Sequence, residues 1–255
     1  MTIRNTLTRP PEMGKPLIRL ESVDSTNIYA MNLLKTDDPV EGTVILAGYQ
    51  TGGKGQSGNS WYSNKGENLL FSLILKPVFL PAEKQFYLSM SVSNAICMTI
   101  EHISDGALVK WPNDILLKGK KVGGILIENM IMKDYIHASV TGIGLNVNQL
   151  TFPDDLADAV SIGMVTGTTY DLDQLFYTIM GNMRKALEPL YCGNLAEIRT
   201  AYLNRLYRLN QWARYRDDNG TFEGRINDVA DTGELIVEKP DGSGRNYAFK
   251  EIQFQ

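Results

Sequence analysis

Apolar residues along this chain change their spacing several times, and each change marks a different kind of element. After Asp24-Ser25, which reads as a helix N-cap, Ile28, Met31 and Leu34 recur at helical spacing until Asp38-Pro39 ends the run. Thr43 to Ala47 is β-rich and feeds directly into the glycine-rich segment Gly52 to Gly58, the pattern of a strand delivering a loop. Leu69 to Leu75 reads as a buried strand, and Pro81 to Ile103 as a long helix opened by Pro81 and the early Glu83. Short apolar stretches come next at Ala107 to Trp111, Val122 to Ile127 and Tyr135 to Val147. Asn113-Asp114, Lys118 to Lys121 and Lys133-Asp134 separate them at hairpin-like spacing, which predicts a mostly antiparallel sheet. Helices should back that sheet, because Leu172, Leu175, Phe176, Ile179, Met183 and Leu187 share one face over Asp171 to Tyr191. A second helix is predicted at Leu195 to Leu206.

From Trp212 the pattern becomes short alternating strands broken by Asp217-Asp218-Asn219-Gly220, Asp231-Thr232-Gly233 and Pro240-Asp241-Gly242, the spacing of a small β-barrel. A domain boundary is placed near Asn210. The fold class is therefore α+β, with a short extension over 1–16, a main domain over 17–209 and a small barrel over 210–255.

Composition narrows the function classes. At 255 residues with 43% hydrophobic and 21% charged residues, the chain is ordinarily globular and long enough for one large core plus an accessory unit. The net charge of −4 gives no general attraction to nucleic acid or to an anionic membrane. The tail beyond Asn210, with six basic residues against nine acidic ones, is not a basic nucleic-acid module. Cys97 and Cys192 lie far apart without CxxC spacing and read as reduced structural thiols, and His102 and His137 as structural residues away from any metal-ligand spacing. The start of the chain has no apolar run, and Leu69 to Leu80 is broken by Ser72, Lys76 and Pro77. A cytoplasmic protein without a membrane span is expected.

Four segments carry candidate chemistry. Tyr49 to Trp61 packs glycines, amides and Lys54 into a loop after a strand, so backbone N–H groups can approach anionic oxygens while Lys54 adds charge. A flexible surface loop would have the same composition. Gly48 and Gly53-Lys54 fit GxxxxGK, but Gly55 stands where a P-loop needs a hydroxyl for magnesium, so that motif fails. Lys110-Trp111-Pro112-Asn113-Asp114 sets a cation, an aromatic, an amide and a carboxylate together, although turn chemistry alone favours an ordinary Pro-Asn-Asp turn. Lys118 to Lys121 precedes Val122-Gly123-Gly124-Ile125-Leu126, where paired glycines weaken a strand unless a ligand or backbone comes near; a solvated lysine turn is the bland alternative. Gly142-Ile143-Gly144-Leu145-Asn146 alternates glycine with apolar residues, which presents amides to a planar base or simply packs closely.

The order of Asp24-Ser25-Thr26-Asn27, the run from Gln50 through Gly53 to Trp61, Lys110 to Asp114, and Lys121 to Leu126 resembles the biotin protein ligases. Gly142 to Asn146 is similar to that family's GxGxN strand, and the tail to its C-terminal SH3-like barrel, so the resemblance runs from about Leu17 to the end. It implies a mixed sheet related to class II aminoacyl-tRNA synthetases, flanked by helices. It implies formation of biotinyl-5′-AMP from biotin and ATP, then transfer of biotin to a lysine of a biotin carboxyl carrier protein or domain.

By the same resemblance, Ser25, Thr26, Asn27, Gln50, Gly53, Lys54, Gly55, Gln56, Lys121 and Gly123 would bind biotin. Lys54, Gln56, Asn59, Trp61, Asn113, Asp114, Lys121 and Asn146 would serve ATP, with Asp114 near its Mg²⁺. Lys121 and Lys54 would be the catalytic cations, acting by positioning and electrostatic stabilisation. Lys54, Gln56, Ser57 and Asn59 stand at places that can hold arginine in the more arginine-rich versions of the family, and the two amides can hydrogen-bond without supplying a guanidinium's charge or fork. The stretch before Ser25 is short for a winged helix-turn-helix, so an enzyme without operator binding is expected, and a homodimer is compatible with the sequence. A lipoate or octanoate ligase would share the adenylating site but need a long apolar tunnel, and the Ser25-Thr26 and Gln50 arrangement favours biotin. A non-catalytic RNA-binding module fits poorly with the acidic charge.

Overall fold

The structure, a computed structural model, describes residues 9–255, so residues 1–8 of the expected N-terminal extension lie outside the described residues. The main sheet contains β1 (Leu17–Leu20), β2 (Val44–Ala47), β3 (Leu69–Leu75), β4 (Ala107–Lys110), β5 (Asp114–Leu117), β6 (Lys120–Met132) and β7 (Tyr135–Leu145). Their spatial order is β1-β2-β3-β7-β6-β5-β4. β1 and β2 run parallel and the remaining pairs antiparallel, which makes the sheet mixed.

Among the described residues five helices accompany it: α1 (Thr26–Thr36), α2 (Phe86–Glu101), α3 (Ile162–Thr166), α4 (Leu172–Tyr191) and α5 (Leu195–Leu203). Alternation along the central strand β3 sorts them between the two faces of the sheet. Ile74 joins Ala30 of α1, Ile45 and Val140 in a small cluster on one face. Phe71, Leu73 and Leu75 join Ile96 of α2 and Phe176 of α4 in the large core on the other. Because both faces are covered, β3 is buried at every position and reads as an unbroken apolar run interrupted only by Ser72.

Asp171 caps α4, its side chain accepting from the Gln174 N–H at 2.9 Å. Asp171→Ala should therefore cost about 1 kcal/mol, read as a thermal midpoint lowered by about 2–4 °C.

Some boundaries differ from the sequence reading for local reasons. The helix expected over Pro81 to Ile103 begins only at Phe86, after a 3₁₀ turn at Ala82–Lys84. The chain there is tied to the β6–β7 hairpin, with Ala82 N donating to Asp134 O and Ile136 N to Leu80 O. The helix expected to reach Leu206 stops at Leu203, because β4 captures the residues after it: Val109 N donates to Arg205 O and Tyr207 N to Val109 O, both at 2.8 Å. β5 begins at Asp114, inside the segment that read as a turn. Cys97 is buried and its thiol is pushed up to about 12 by that burial, whereas Cys192 is exposed, so only Cys97 is a packing residue. His102 and His137 are exposed as well, not core residues.

A second sheet holds β8 (Trp212–Asp217), β9 (Gly220–Val229), β10 (Leu235–Glu238), β11 (Gly244–Tyr247) and β12 (Gln253–Phe254), in the order β11-β10-β9-β8-β12 and antiparallel throughout. This five-stranded sheet is consistent with the small SH3-like barrel expected; among the described residues β11, paired with β10, and β12, paired with β8, stand at its two edges. The residues between them leave the sheet, and Phe249 packs on Trp111 and Phe86 of the main domain. Tyr215, Ile226, Leu235 and Tyr247 of this sheet belong to the same apolar core as the helices. No helix among the described residues is long and apolar enough to cross a membrane.

Candidate active site

The start of α1 and the end of β2 are drawn together by backbone bonds. Val23 N donates to Tyr49 O at 3.1 Å and Thr51 N to Val23 O at 2.9 Å, which carries Gln50 alongside Thr26. Ser25 holds the N-cap position with extended backbone but makes no side-chain capping bond. The Gln50 side-chain carbonyl takes over that work, accepting from Thr26 N at 2.7 Å and from Thr26 Oγ1 at 3.0 Å. Among the described residues the Gln50 amide nitrogen has no acceptor, so both its protons are available. Ser25, Thr26, Asn27 and Gln50 together line one end of a cleft of about 1070 Å³, its open mouth included.

The glycine loop forms a tied hairpin. Gly55 N donates to Asn59 O at 2.7 Å and Trp61 N to Gly53 O at 2.9 Å, with a 3₁₀ turn at Gln56–Gly58 between them. The loop therefore does not start a long helix, as glycine content predicted. A side chain at Gly53 would meet the Trp61 carbonyl at 2.6 Å, so the glycine is required by the hairpin itself. Lys54, Gly55, Gln56, Asn59, Ser60 and Trp61 face the cleft.

Trp61 rests on two glycines. Gly124 and Gly144 are register partners across β6 and β7. A Cβ on Gly124 would sit 3.0 Å from the indole, and one on Gly144 would fall inside the ring's van der Waals surface. The two strands thus make a flat shelf for a planar group, which is the physical reason for glycines in these strands. The Trp61 indole N–H is buried there without an acceptor among the described residues.

The segment Lys110 to Asp114 distributes its residues between two tasks. Lys110 lies over the Phe254 ring at 5.3 Å, and Trp111 is buried with its N–H donating to Gly233 O at 2.8 Å. Those two residues anchor the second sheet. Asn113 clamps β6, its Nδ2 donating to Ile125 O at 2.7 Å. Asp114 pairs with Lys121 at 2.6 Å inside the cleft, and the Lys121 ammonium is 5.8 Å from the Trp61 ring centre.

The cleft therefore brings together Ser25, Thr26, Asn27, Gln50, Lys54, Gly55, Gln56, Asn59, Trp61, Asn113, Asp114 and Lys121. Three expected residues fall outside it. Gly53 is buried in the hairpin, and Gly123 points the other way, toward Gly144 O and Leu145; its neighbour Gly124 takes the place expected of it. Asn146 lies just past the end of β7 and is buried, its amide nitrogen donating to Val160 O at 3.1 Å and its Oδ1 without a donor among the described residues. Sequence reading missed Phe249, Lys250, Ile252 and Phe254, which wall the cleft from the second sheet, and Gly142 and Gly144, named there only as part of a strand. Among the described residues no cluster of three His, Cys, Asp or Glu side chains is placed to hold a metal ion unaided.

Comparison with known proteins agrees with this geometry. Residues 20–146 match the Biotin/lipoate A/B protein ligase family. The chain is 32% identical over 240 residues to the bifunctional ligase/repressor BirA of Bacillus spizizenii, covering 92% of this chain and 73% of that protein. It is 30% identical over 233 residues to the biotin–[acetyl-CoA-carboxylase] ligase of Paracoccus denitrificans, covering 88% and 94% respectively. Among solved structures, the biotin protein ligase of Aquifex aeolicus in complex with biotin and ATP superimposes with a TM-score of 0.78 at 26% identity, covering 94% of this chain and 99% of that one. With relatives at this identity spanning most of both chains, and the fold shared along nearly all its length, the chain belongs to the biotin protein ligase family.

Proposed function

We propose that this chain is an ATP-dependent biotin protein ligase. It joins the carboxylate of biotin to the α-phosphate of ATP, with pyrophosphate leaving, and then passes the biotinyl group to the amine of a carrier-protein lysine, with AMP leaving. The observation that carries this reading is that a neutral hydrogen-bonding floor, a flat glycine shelf and a cation–carboxylate pair open into one cleft.

Each part answers one demand of the chemistry. A ureido ring is uncharged and needs fixed donors and acceptors; Thr26 and Gln50, already bonded to one another, supply them without rearranging. Beside the shelf, Trp61 offers the nucleotide base a planar partner. Lys121 and Lys54 supply positive charge where two anions must meet and where charge builds on non-bridging oxygens. Asp114, a single carboxylate in the cleft, would help to hold the Mg²⁺ of ATP, which would supply neutralisation of the charge that develops on the phosphates.

Incubation of the protein with ATP, labelled biotin and a biotin carrier domain, with octanoate and lipoate in parallel, tests the reading. Label on the carrier lysine only with biotin is the expected result. Transfer of octanoate or lipoate in its place would move the chain to the other branch of the superfamily.

A further inference from the structure

Behind the floor of the cleft runs a chain of polar side chains that the reaction as described does not use. Ser72 is fully buried in β3, on the face of the sheet that α1 covers. Its register partner on β7 is Gly142, whose own partner on β6 is Leu126. The absent side chain of Gly142 leaves the space that the Asn27 amide fills, lying across the strand from Ser72 to β6. There Asn27 Nδ2 donates to Leu126 O at 3.2 Å and to Glu128 Oε2 at 2.8 Å.

Proton counting gives this chain a direction. The Leu126 carbonyl and the Glu128 carboxylate only accept, so the Asn27 amide nitrogen faces them and its oxygen faces Ser72, 2.6 Å away. A buried amide oxygen without a donor is costly, and Ser72 has one hydroxyl proton, which therefore goes to Asn27. Ser72 Oγ is then an acceptor for Thr26, whose hydroxyl is 2.7 Å from it. Among the described residues, the other inward partner of that hydroxyl is Gln50 Oε1 at 3.0 Å, already bonded to the Thr26 N–H. Thr26 consequently keeps its proton inside and turns a lone pair toward the cleft.

We propose that Ser72, oriented by Asn27 and Glu128, is a positioning residue that fixes Thr26 as a hydrogen-bond acceptor, so that the site selects a ring presenting an N–H at that point. This inference rests on the biotin reading above. Ser72→Ala removes the nearer of the two inner acceptors, leaving the Thr26 hydroxyl only Gln50 Oε1 at 3.0 Å, and so loosens its inward hold and lets it turn outward and donate more readily.

The test measures dissociation constants by calorimetry for biotin and for the two cyclic carbamates in which ring oxygen replaces one or the other ureido N–H. The parent protein should prefer biotin to both. In Ser72→Ala, biotin binding should weaken by about tenfold, while the carbamate whose oxygen meets Thr26 loses little, so its discrimination ratio narrows. Asn27→Ala, which leaves the β3 side chain in place and releases the Ser72 proton, should narrow the same ratio. Equal weakening of all three ligands in both variants would show simple loosening of the pocket and overturn the relay. So would unchanged ratios in a protein that binds biotin. A parent protein that binds none of the three would instead overturn the biotin reading, and the relay with it.

Discussion

Lys121→Ala is expected to slow adenylate formation by roughly a hundredfold to a thousandfold, the usual loss when one preorganised donor to a developing oxyanion is removed. The backbone of Lys121 is held from two sides, its N–H donating to Asp158 O at 2.8 Å and its carbonyl accepting from Val160 N at 2.9 Å. Only the side chain is left to move, and it reaches into the cleft against Asp114. The ammonium is thus held within a fixed radius in the cleft. Single-turnover pyrophosphate release gives the rate, and calorimetry with biotin alone gives the ground-state binding. A variant that forms adenylate at the parent rate removes Lys121 from the mechanism.

Gly144→Ala should raise the KM for ATP by roughly fivefold to 150-fold, the equivalent of the 1–3 kcal/mol that overpacking costs. The added methyl would meet the Trp61 indole face on. β7 cannot yield, because Gly144 is paired on one side with Leu70 of β3 and on the other with Gly124 of β6. The indole must lift from the shelf and fill the space of the base. Biotin affinity should hold nearly constant, since Thr26 and Gln50 are fixed through the start of α1. Steady-state kinetics in ATP, with a biotin titration as control, separates the two; an unchanged KM would mean that the shelf does not serve the nucleotide.

The sheet and the main helices were legible because apolar periodicity survives wherever an element has a clear inside and outside. Leu69–Leu75 and the α4 face are examples. Element ends were less so: the start of α2 and the end of α5 are set by bonds to distant strands, about which local spacing carries nothing. The cleft divides in the same way. The loop, the Lys110 to Asp114 segment and Lys121 announce themselves by residue type, whereas Gly123 and Gly124 are indistinguishable until strand register decides which one faces Trp61. Asn146 would have shared a face with Gly142 and Gly144 had β7 continued, but the strand ends at Leu145. Phe249, Ile252 and Phe254 reach the cleft from the far end of the chain, and Ser72 looked like a polar interruption of a core strand.

Within one turn, Trp111 grips the second sheet and Asp114 meets Lys121 in the cleft. The small sheet is therefore not an appendage that evolution or an engineer can exchange freely. Cutting the chain after Asn210 would take away Phe249, Lys250, Ile252 and Phe254, one whole side of the reaction chamber, and would expose the Trp111 hook whose stem carries the carboxylate. A graft from a relative must bring its own matching acceptor for that indole, or the chamber loses its shape along with its wall.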